Sequence, residues 1–270
     1  SVGGVDVYMR IIIKNLDQDK FINFVIHGQD DTNNPFIDSN GNHVVEYKTS
    51  ILRDLSLLKD LKSIIDAYRF LKIERPNVIH AHSAKGGVLG KIAGLFLGIK
   101  ILYTPHAFSY LSAENKIKKN IFLLIEKAFT SNACTVLATS NSEKKRAIEE
   151  VGYKSQNTII FNNCIEPIRT IFPLTIKKTW PDEYICTVGR PSYQKNIELM
   201  IKVMYEVKKV RKIHLVIMGV GPVSGQLESV KNLIKELNMS NDITLLNWTE
   251  RTDVFNIINQ SKFYISTARY

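Results

Sequence analysis

The chain has 270 residues, of which 44% are hydrophobic and 23% are charged. This composition is typical of a soluble globular protein long enough for two domains, and it excludes disordered and fibrous classes. The net charge of +10 indicates an anionic partner, either a nucleotide, a nucleic acid or an anionic membrane surface.

The basic residues are scattered over predicted helices and are not interleaved with aromatic residues, so we expect no nucleic acid partner. The cysteines lack CxxC spacing, and no apolar run reaches the roughly 20 residues of a membrane-spanning helix. We therefore expect reduced thiols and a cytoplasmic location.

Apolar β-branched runs, which predict strands, alternate along the chain with amphipathic segments, which predict helices. A helical pattern follows Gly3-Gly4 directly, so we expect a first strand before residue 1. The later strands of the first half are predicted at 21–26, 44–47, 78–82, 99–104, 135–139 and 158–161, with helices at 54–71, 85–97, 116–130 and 142–151. In the second half, strands are predicted at 184–188, 214–218, 243–246 and 263–266, and helices at 195–210, 225–237 and 252–260.

This alternation predicts parallel sheets with helices on both faces. Residues 167–182 lose the rhythm and contain several prolines, as an interdomain link does. We predict two Rossmann-like domains, 1–166 and 183–270, that face each other across a cleft, the second incomplete at its end. Ligands of such sheets bind at the carboxyl ends of the strands.

The loop 189–196 follows a predicted buried strand and opens an amphipathic helix. It carries Arg190 and Lys195 beside the amino end of that helix, where free N–H groups and the macrodipole favour an anion. An arginine fork together with a mobile lysine suits a diphosphate. The alternative is a solvated basic loop that binds nothing.

Histidines occur at or near two strand ends. His80 and His82 share one face of a predicted strand because strand side chains alternate, and no third ligand with metal-site spacing accompanies them, so no metal site is predicted. We expect His82 to point into the cleft and His80 to be a packed core residue. His106 follows the next strand, at a level where it can hydrogen-bond a substrate hydroxyl or stabilise charge near a reacting carbon.

Glycines mark two further loops. Gly3 and Gly4 precede a helix and can bring backbone N–H groups close to a phosphate or sugar oxygen, although a simple tight turn would look the same. Gly219 and Gly221 form a truncated GxG after a strand, which allows a nucleotide to approach the backbone.

For two predicted features, the sequence supports both a binding role and a packing role. Trp248 and Thr249 follow another strand and offer a slot for a nucleobase, with a core position for Trp248 as the alternative. The lysine-flanked helix 116–130 is interpreted as a core helix with a solvated basic face, with contact to anionic lipid as the alternative. In the helix 85–97, Gly86, Gly90 and Gly94 form a bare stripe, which predicts close packing on the sheet.

Taken in order, these motifs resemble those of the retaining glycosyltransferases of family 4, which have the GT-B architecture. The most specific match is G-R-x-x-x-x-K-N at 189–196. The Gly-Gly loop also matches, as do HxH with its following lysine and glycine at 80–86, T-P-H at 104–106, S-x-x-x-K at 140–144 and G-x-G-P at 219–222. The family's P-N-G-I-D hinge is replaced by N-N-C-I-E at 162–166, and its E-G-x-P turn and E-x7-E pair would lie beyond residue 270.

The resemblance implies that Arg190 and Lys195 hold the diphosphate of a nucleotide sugar and are catalytic. From its placement after a strand, we predict that His106 is catalytic as well. Because the two cations supply the positive charge, the resemblance implies no metal and no cofactor. We predict acceptor binding by His82 and Lys85, and donor binding by Gly3, Gly4, Gly189, Gly219, Gly221, Trp248 and Thr249.

The implied activity is the retaining transfer of a hexose from a nucleotide diphosphate sugar, expected to be a UDP-sugar. The implied acceptor is lipid-linked or a saccharide, in the synthesis of a bacterial capsule, exopolysaccharide or O-antigen, with peripheral contact to the inner face of the cell membrane. Because the later motifs are missing, we expect little activity from this chain. A GT-B-type UDP-sugar epimerase and a non-catalytic nucleotide-sugar-binding fragment remain as alternatives.

Overall fold

Parallel sheets flanked by helices occur in both halves of the chain, in the computed structural model that describes residues 4–29, 31–51, 56–113, 115–221 and 225–270. The chain divides into two units, Ser1–Glu166 and Pro167–Tyr270, so residues 167–182 group with the second unit. The predicted α/β class with parallel strands is confirmed.

The first unit contains two parallel sheets and five α-helices among its described residues. One sheet pairs β1 (Phe24–Gly28) with β2 (Val45–Thr49), and the other has the order β3–β4–β5–β6, with β3 at Val78–His82, β4 at Lys100–Thr104, β5 at Cys134–Ala138 and β6 at Thr158–Ile160. The helices are α1 (Gly4–Asn15), α2 (Leu57–Glu74), α3 (Ser83–Leu97), α4 (Lys116–Ala128) and α5 (Asn141–Arg146), which continues as a π-helical turn at Ala147–Val151. The strand expected before residue 1 stays a prediction.

The second unit contains one sheet in the order β7–β8–β9 and three described helices. The strands are β7 (Tyr184–Val188), β8 (His214–Met218) and β9 (Ile243–Leu245). The helices are α6 (Ile197–Lys208), α7 (Leu227–Glu236) and α8 (Arg251–Gln260).

Alternating side chains of these strands build a core on each face of the sheet. Ile185, Leu215 and Ile217 are buried with residues of α6 and α7. The intervening residues are buried on the other face with Ile257 of α8; they are Tyr184, Cys186, Val216 and Met218. Helices therefore cover both faces, which explains why the strands are continuously apolar.

The predicted strand 263–266 is wrong as a regular strand. Only Tyr264 forms a bridge, parallel to Cys186, although the Cys186 N–H donates to Phe263 O at 3.1 Å and the Ile265 N–H donates to Cys186 O at 2.9 Å. The pairing ends there because the following residues turn toward the loop after β7, where the Thr267 hydroxyl donates to backbone carbonyls.

The glycine stripe of α3 packs on the sheet, as the sequence predicted, but it contains Gly87 in place of Gly86. A Cβ added at any of its three members would lie 2.4 to 2.8 Å from a side chain of β3 or β4; they are Gly87, Gly90 and Gly94. At Gly86 the nearest atom to an added Cβ is the Ser83 Oγ of the same helix, 3.9 Å away. The spacing i, i+3, i+7 follows the sheet-facing side of an α-helix more closely than a strict repeat of four.

A buried ion pair ties α3 to α4. Lys91 and Glu126 are 1% and 2% exposed, and their charged atoms lie 3.3 Å apart. The Tyr103 hydroxyl donates to the other carboxylate oxygen of Glu126 at 2.9 Å, and the Lys91 Nζ lies 3.7 Å from the centre of the Tyr103 ring. Burial lowers the pKa of Lys91, and the charge of Glu126 opposes that shift.

Helix α4 does not place its apolar residues as the sequence predicted. Phe122 and Leu123 pack partly buried against the core, while a second apolar stripe is exposed. The exposed fractions of that stripe are 69% for Ile117, 48% for Ile121, 64% for Leu124 and 37% for Ile125. The interpretation as a core helix with a solvated basic face therefore holds for Phe122, Leu123 and the exposed lysines, but not for the second apolar stripe, which faces solvent.

We expect Gly90→Ala to destabilise the protein by about 1–3 kcal/mol, because the new methyl group would lie 2.8 Å from the Ala81 Cβ. Gly86→Ala is the matched control in the same helix, and it should be neutral or stabilising by up to about 1 kcal/mol because alanine favours a helix. Urea unfolding followed by circular dichroism measures both. Equal effects of the two substitutions would contradict the packing argument.

Candidate functional site

Three loops assigned to donor binding leave the sheet of the second unit at one edge. β7 and β8 end opposite each other, with Val188 aligned to Met218, and β9 runs parallel beside β8. The pairing continues beyond the strands, since the Gly189 N–H donates to Met218 O at 2.9 Å and the Gly219 N–H donates to Asn247 O at 3.3 Å. The structure therefore brings together the segments 189–196, 219–221 and 246–249.

Two glycines of these loops have a structural requirement. A Cβ at Gly189 would lie 3.1 Å from the Lys195 Cγ, so the glycine makes room for the lysine stem to cross the backbone. Gly219 has φ +83°, a conformation that favours glycine. Gly221 has no described atom within 4 Å of the position of a Cβ, so the structure gives no steric reason for it.

The two loop cations carry uncompensated charge. Arg190 is exposed and Lys195 is half-buried, and across the described residues neither side chain forms an ion pair or a hydrogen bond. Some lysines of this unit do pair with carboxylates, as Lys208 does with Asp242. Positive charge beside the amino end of α6 is the arrangement that suits a diphosphate.

The aromatic residue at the end of β9 lies on the surface. The Trp248 side chain is 63% exposed, which rules out the alternative that it caps the core. The Thr249 hydroxyl donates to Asn247 O at 2.9 Å and so orders the turn that carries the indole. A nucleobase role for this pair stays a prediction.

In the first unit, three imidazoles meet at the ends of β3 and β4. The His82 Nδ1 lies 3.2 Å from the His106 Nε2, and the His80 Nε2 lies 2.8 Å from the Thr104 hydroxyl. His80 and His82 share a face, as predicted, with ring centroids 4.0 Å apart. The buried Tyr8 ring packs edge-on against His82 and His106. His80, which the sequence predicted as a packed core residue, therefore belongs to the same cluster as His82 and His106.

The backbone around this cluster is strained. Three non-glycine residues at these strand ends have positive φ, namely Ser83 at +61°, His106 at +52° and Ala107 at +75°. Such conformations cost free energy and concentrate at functional sites, where the surrounding structure holds them.

Glu143 holds the strained loop, and sequence analysis missed it. Its carboxylate is 5% exposed and accepts the Ala107 N–H at 2.8 Å and the Thr139 N–H at 2.6 Å. A signal was present in the S-x-x-E spacing of Ser140 and Glu143, which is typical of a capping box. The Ser140 hydroxyl does accept the Glu143 N–H at 3.1 Å. The Glu143 carboxylate, however, accepts from the neighbouring loop at Ala107.

Burial makes the imidazoles neutral near pH 7. It lowers the pKa of His80 to about 4, with the nearby His106 contributing. Burial and then the two neighbouring imidazoles lower the pKa of His82 further, while the pKa of His106 is lowered by burial against the opposing charge of Glu143. The cluster therefore offers hydrogen-bond donors and acceptors without positive charge.

The remaining predicted residues have different surroundings. The Lys85 Nζ donates to Asp60 at 2.7 Å, so part of its charge is compensated. Gly4 begins α1 with open space around its Cα, and Gly3 lies outside the described residues. Within the described part of the chain, no three His, Cys, Asp or Glu side chains are grouped so that they could hold a metal ion.

Comparison with known families identifies the family of this chain. The model of Glycosyltransferase Family 4 matches residues 2–169, and that of Glycosyl transferases group 1 matches residues 175–270. The chain belongs to glycosyltransferase family 4. Its two parallel α/β units are those of the GT-B architecture, as the resemblance implied.

Curated relatives of this family 4 chain come from bacteria. The chain is 26% identical over 230 residues to the UDP-Gal:alpha-D-GlcNAc-diphosphoundecaprenol alpha-1,3-galactosyltransferase of Escherichia coli, covering 80% of this chain and 58% of the relative. It is 27% identical over 142 residues to the capsular polysaccharide biosynthesis glycosyltransferase CapM of Staphylococcus aureus, covering 46% and 37%. The chain thus spans less than two thirds of these relatives.

Solved structures show the same fold at low identity. Sucrose-phosphate synthase from Thermosynechococcus elongatus has a TM-score of 0.79 at 17% identity, covering 100% of this chain and 71% of that one. Anabaena HepE, crystallised with UDP-glucose, has a TM-score of 0.60 at 16% identity, covering 84% and 61%.

We expect the free energy of unfolding of the first unit to fall as the pH drops from 6.5 toward 4. The pKa of His80 is about 4 when folded and about 6.5 when unfolded, so the unfolded state binds more protons in this window. The contribution of His80 alone is about 2 kcal/mol between about pH 7.5 and about pH 5.

Urea unfolding followed by circular dichroism checks this pH dependence in wild type, His80→Gln and the exposed-site control His43→Gln. His80→Gln should flatten the dependence and His43→Gln should not. Both tryptophans, Trp180 and Trp248, lie in the second unit, so their fluorescence follows that unit separately. Equal pH slopes for His80→Gln and wild type would contradict the assignment.

Proposed function

We propose that this family 4 member is a retaining hexosyltransferase that moves a hexose from a UDP-sugar to a lipid-linked or saccharide acceptor in the synthesis of a bacterial surface polysaccharide. The observation that carries the proposal is the pair Arg190 and Lys195, which no described carboxylate neutralises. An enzyme that releases a nucleoside diphosphate must stabilise growing negative charge at such a position.

The roles that we propose for Arg190 and Lys195 follow from the charge of the leaving diphosphate. Arg190 can bind two phosphate oxygens with its planar fork, and Lys195, whose stem crosses Gly189, can follow the charge as the bond to the sugar breaks. Loss of either cation should raise the barrier by about 2–4 kcal/mol, by analogy with lost oxyanion donors. Because these cations supply the charge, we propose that the reaction uses no metal ion and no cofactor.

The imidazole cluster suits a different part of the reaction. Neutral rings can accept from and donate to sugar hydroxyls without attracting the diphosphate. We propose that His106 lies near the reacting carbon, and that His82 contacts the acceptor together with Lys85, whose position is fixed by its bond to Asp60. For the donor, we propose contacts from the loops that carry Gly189, Gly219, Gly221, Trp248 and Thr249. A donor role for Gly3 and Gly4 stays a prediction from the sequence.

The names of two similar proteins support the substrate classes that we propose. The printed name of the Escherichia coli relative pairs UDP-galactose with a diphosphoundecaprenol-linked acceptor. Anabaena HepE, which shares the fold, was crystallised with UDP-glucose. A UDP-sugar donor and a lipid-linked acceptor are accordingly the first substrates to test.

The fold leaves one enzymatic alternative. A UDP-N-acetylglucosamine 2-epimerase from Listeria monocytogenes shares the architecture, with a TM-score of 0.54 at 11% identity. An epimerase converts the UDP-sugar without any acceptor, whereas a transferase releases UDP at an appreciable rate only when an acceptor is present. A non-catalytic protein would bind UDP and convert nothing.

We also propose that the exposed face of α4 contacts an anionic membrane, where a lipid-linked acceptor would be located. The apolar stripe of this face contains Ile117, Ile121, Leu124 and Ile125. The lysines of α4 are all exposed, namely Lys116, Lys118, Lys119 and Lys127, and its one acid, Glu126, is buried with Lys91.

The combination on α4 has two physical consequences for lipid binding. The charged side chains on the accessible surface of the helix are all lysines, so the helix is attracted to anionic headgroups. Its apolar stripe can enter the interface while the lysines stay at headgroup level. None of the helices in the described ranges is both long and apolar enough to cross a bilayer. The contact that we propose for α4 is a peripheral one.

We expect UDP to stabilise the chain more than GDP, ADP or NAD in thermal-shift and calorimetric titrations. Arg190→Ala should weaken UDP binding by about 10- to 100-fold, because a hydrogen bond to a charged group is worth about 1.5–3 kcal/mol. The matched control is Arg211→Ala, which removes an exposed arginine just after α6. Equal UDP affinity of Arg190→Ala and wild type would refute the donor site.

We expect the chain to sediment with phosphatidylglycerol vesicles at low salt and not with phosphatidylcholine vesicles. Replacing Ile121 and Leu124 together by serine should lower the partition coefficient by about tenfold or more, because each buried aliphatic side chain contributes about 1.5–3 kcal/mol. The matched control replaces Leu58 and Leu61 by serine on α2, where exposed apolar residues lie among charges of both signs. Equal losses for the two double variants would contradict the α4 assignment.

A further inference from the structure

The segment that follows Ile265 crosses the loop 189–196 and binds it at several points. The Thr267 hydroxyl lies 3.2 Å from Lys195 O and 2.9 Å from Asn196 O, with geometry for donation to both. The Arg269 N–H donates to Gln194 O at 2.9 Å. These bonds involve the backbone immediately around Lys195.

The Arg269 side chain adds three contacts to the same loop. Its Nε donates to Tyr193 O at 3.0 Å, its Nη2 donates to the Asn196 Oδ1 at 2.9 Å, and its guanidinium stacks 4.4 Å from the centre of the Tyr193 ring. The planar fork therefore joins the residues on both sides of Lys195.

The loop depends on such contacts because it has little regular structure of its own. Asn196, the N-cap residue just before α6, has φ +52°, and its side chain makes no capping bond to the helix. The Oδ1 that would normally cap α6 accepts from Arg269 instead. Within the loop itself, the Asn196 N–H donates to Ser192 O at 2.9 Å, and the Lys195 N–H lies 3.3 Å from the Ser192 hydroxyl.

We propose that Arg269 is a positioning residue that fixes Lys195 for the diphosphate of the donor. This assignment rests on the proposed function, since it requires that Lys195 binds a phosphate. Arg269 acts by holding the Tyr193 carbonyl and the Asn196 side chain, so that the lysine between them starts from one backbone position. Its Nε and Nη2 donors are directed at the loop.

The test is a double-mutant cycle on UDP affinity, measured by calorimetry on the whole chain. Arg269→Gln should weaken UDP binding by about tenfold, which corresponds to about 1.4 kcal/mol. In a Lys195→Ala background the same substitution should cost less than about threefold, because residues that act through one another are not additive. Arg211→Gln removes the same charge elsewhere on the unit and should cost less than about twofold.

Three results would overturn the assignment. Arg269→Gln could bind UDP within about twofold of wild type, it could lose the same factor in both backgrounds, which indicates direct contact with the ligand, or Arg211→Gln could lose as much, which indicates a general charge effect. If Arg269→Gln does not fold, Thr267→Val enters the same cycle, because it removes the hydroxyl bonds to the loop with little change in shape. No UDP binding by wild type would refute the proposed function itself, whereas wild-type binding with an unaffected Arg269→Gln would refute only this inference.

Discussion

Because β7 and β8 pair in parallel with Val188 opposite Met218, the chain leaves both strands at the same edge of the sheet. Everything proposed for the second unit depends on this constraint. It places the loop with Arg190 and Lys195 beside the loops that follow β8 and β9. In the first unit the pairing of β3 with β4 has the same effect, since it aligns His82 with Thr104 and so brings His106 next to His82.

The two units differ in the electrostatics of their strand ends. In the second, two cations remain without a described carboxylate, which keeps positive charge available for an anion. In the first, burial keeps three imidazoles neutral, and the carboxylate of Glu143 is used to hold the strained backbone at Ala107. A diphosphate requires charge, while sugar hydroxyls require hydrogen bonds, so this difference supports the proposed assignment of donor binding to the second unit and acceptor binding to the first.

Burial of one acid also shapes the surface of the first unit. Glu126 is directed into the core, where it pairs with Lys91 and accepts from Tyr103. A buried ion pair of this kind is weak evidence for stability, because desolvation opposes the attraction. Its clearer consequence is at the surface: because the one acid of α4 is buried, the charged side chains that this helix presents to solvent are all lysines, beside an apolar stripe.

The sequence by itself determined the α/β class, the positions of most strands and the loop that carries Arg190 and Lys195, because these depend on local periodicity and on residue type at strand ends. It also indicated that the glycines of α3 pack on the sheet. Tertiary structure decided that Gly87 faces the sheet while Gly86 does not, that His80 joins the histidine cluster, and that Glu143 and Arg269 brace loops distant in sequence. Local patterns contain no information on such contacts, since a hydrogen bond between residues 36 or 73 positions apart exists only after the strands have paired.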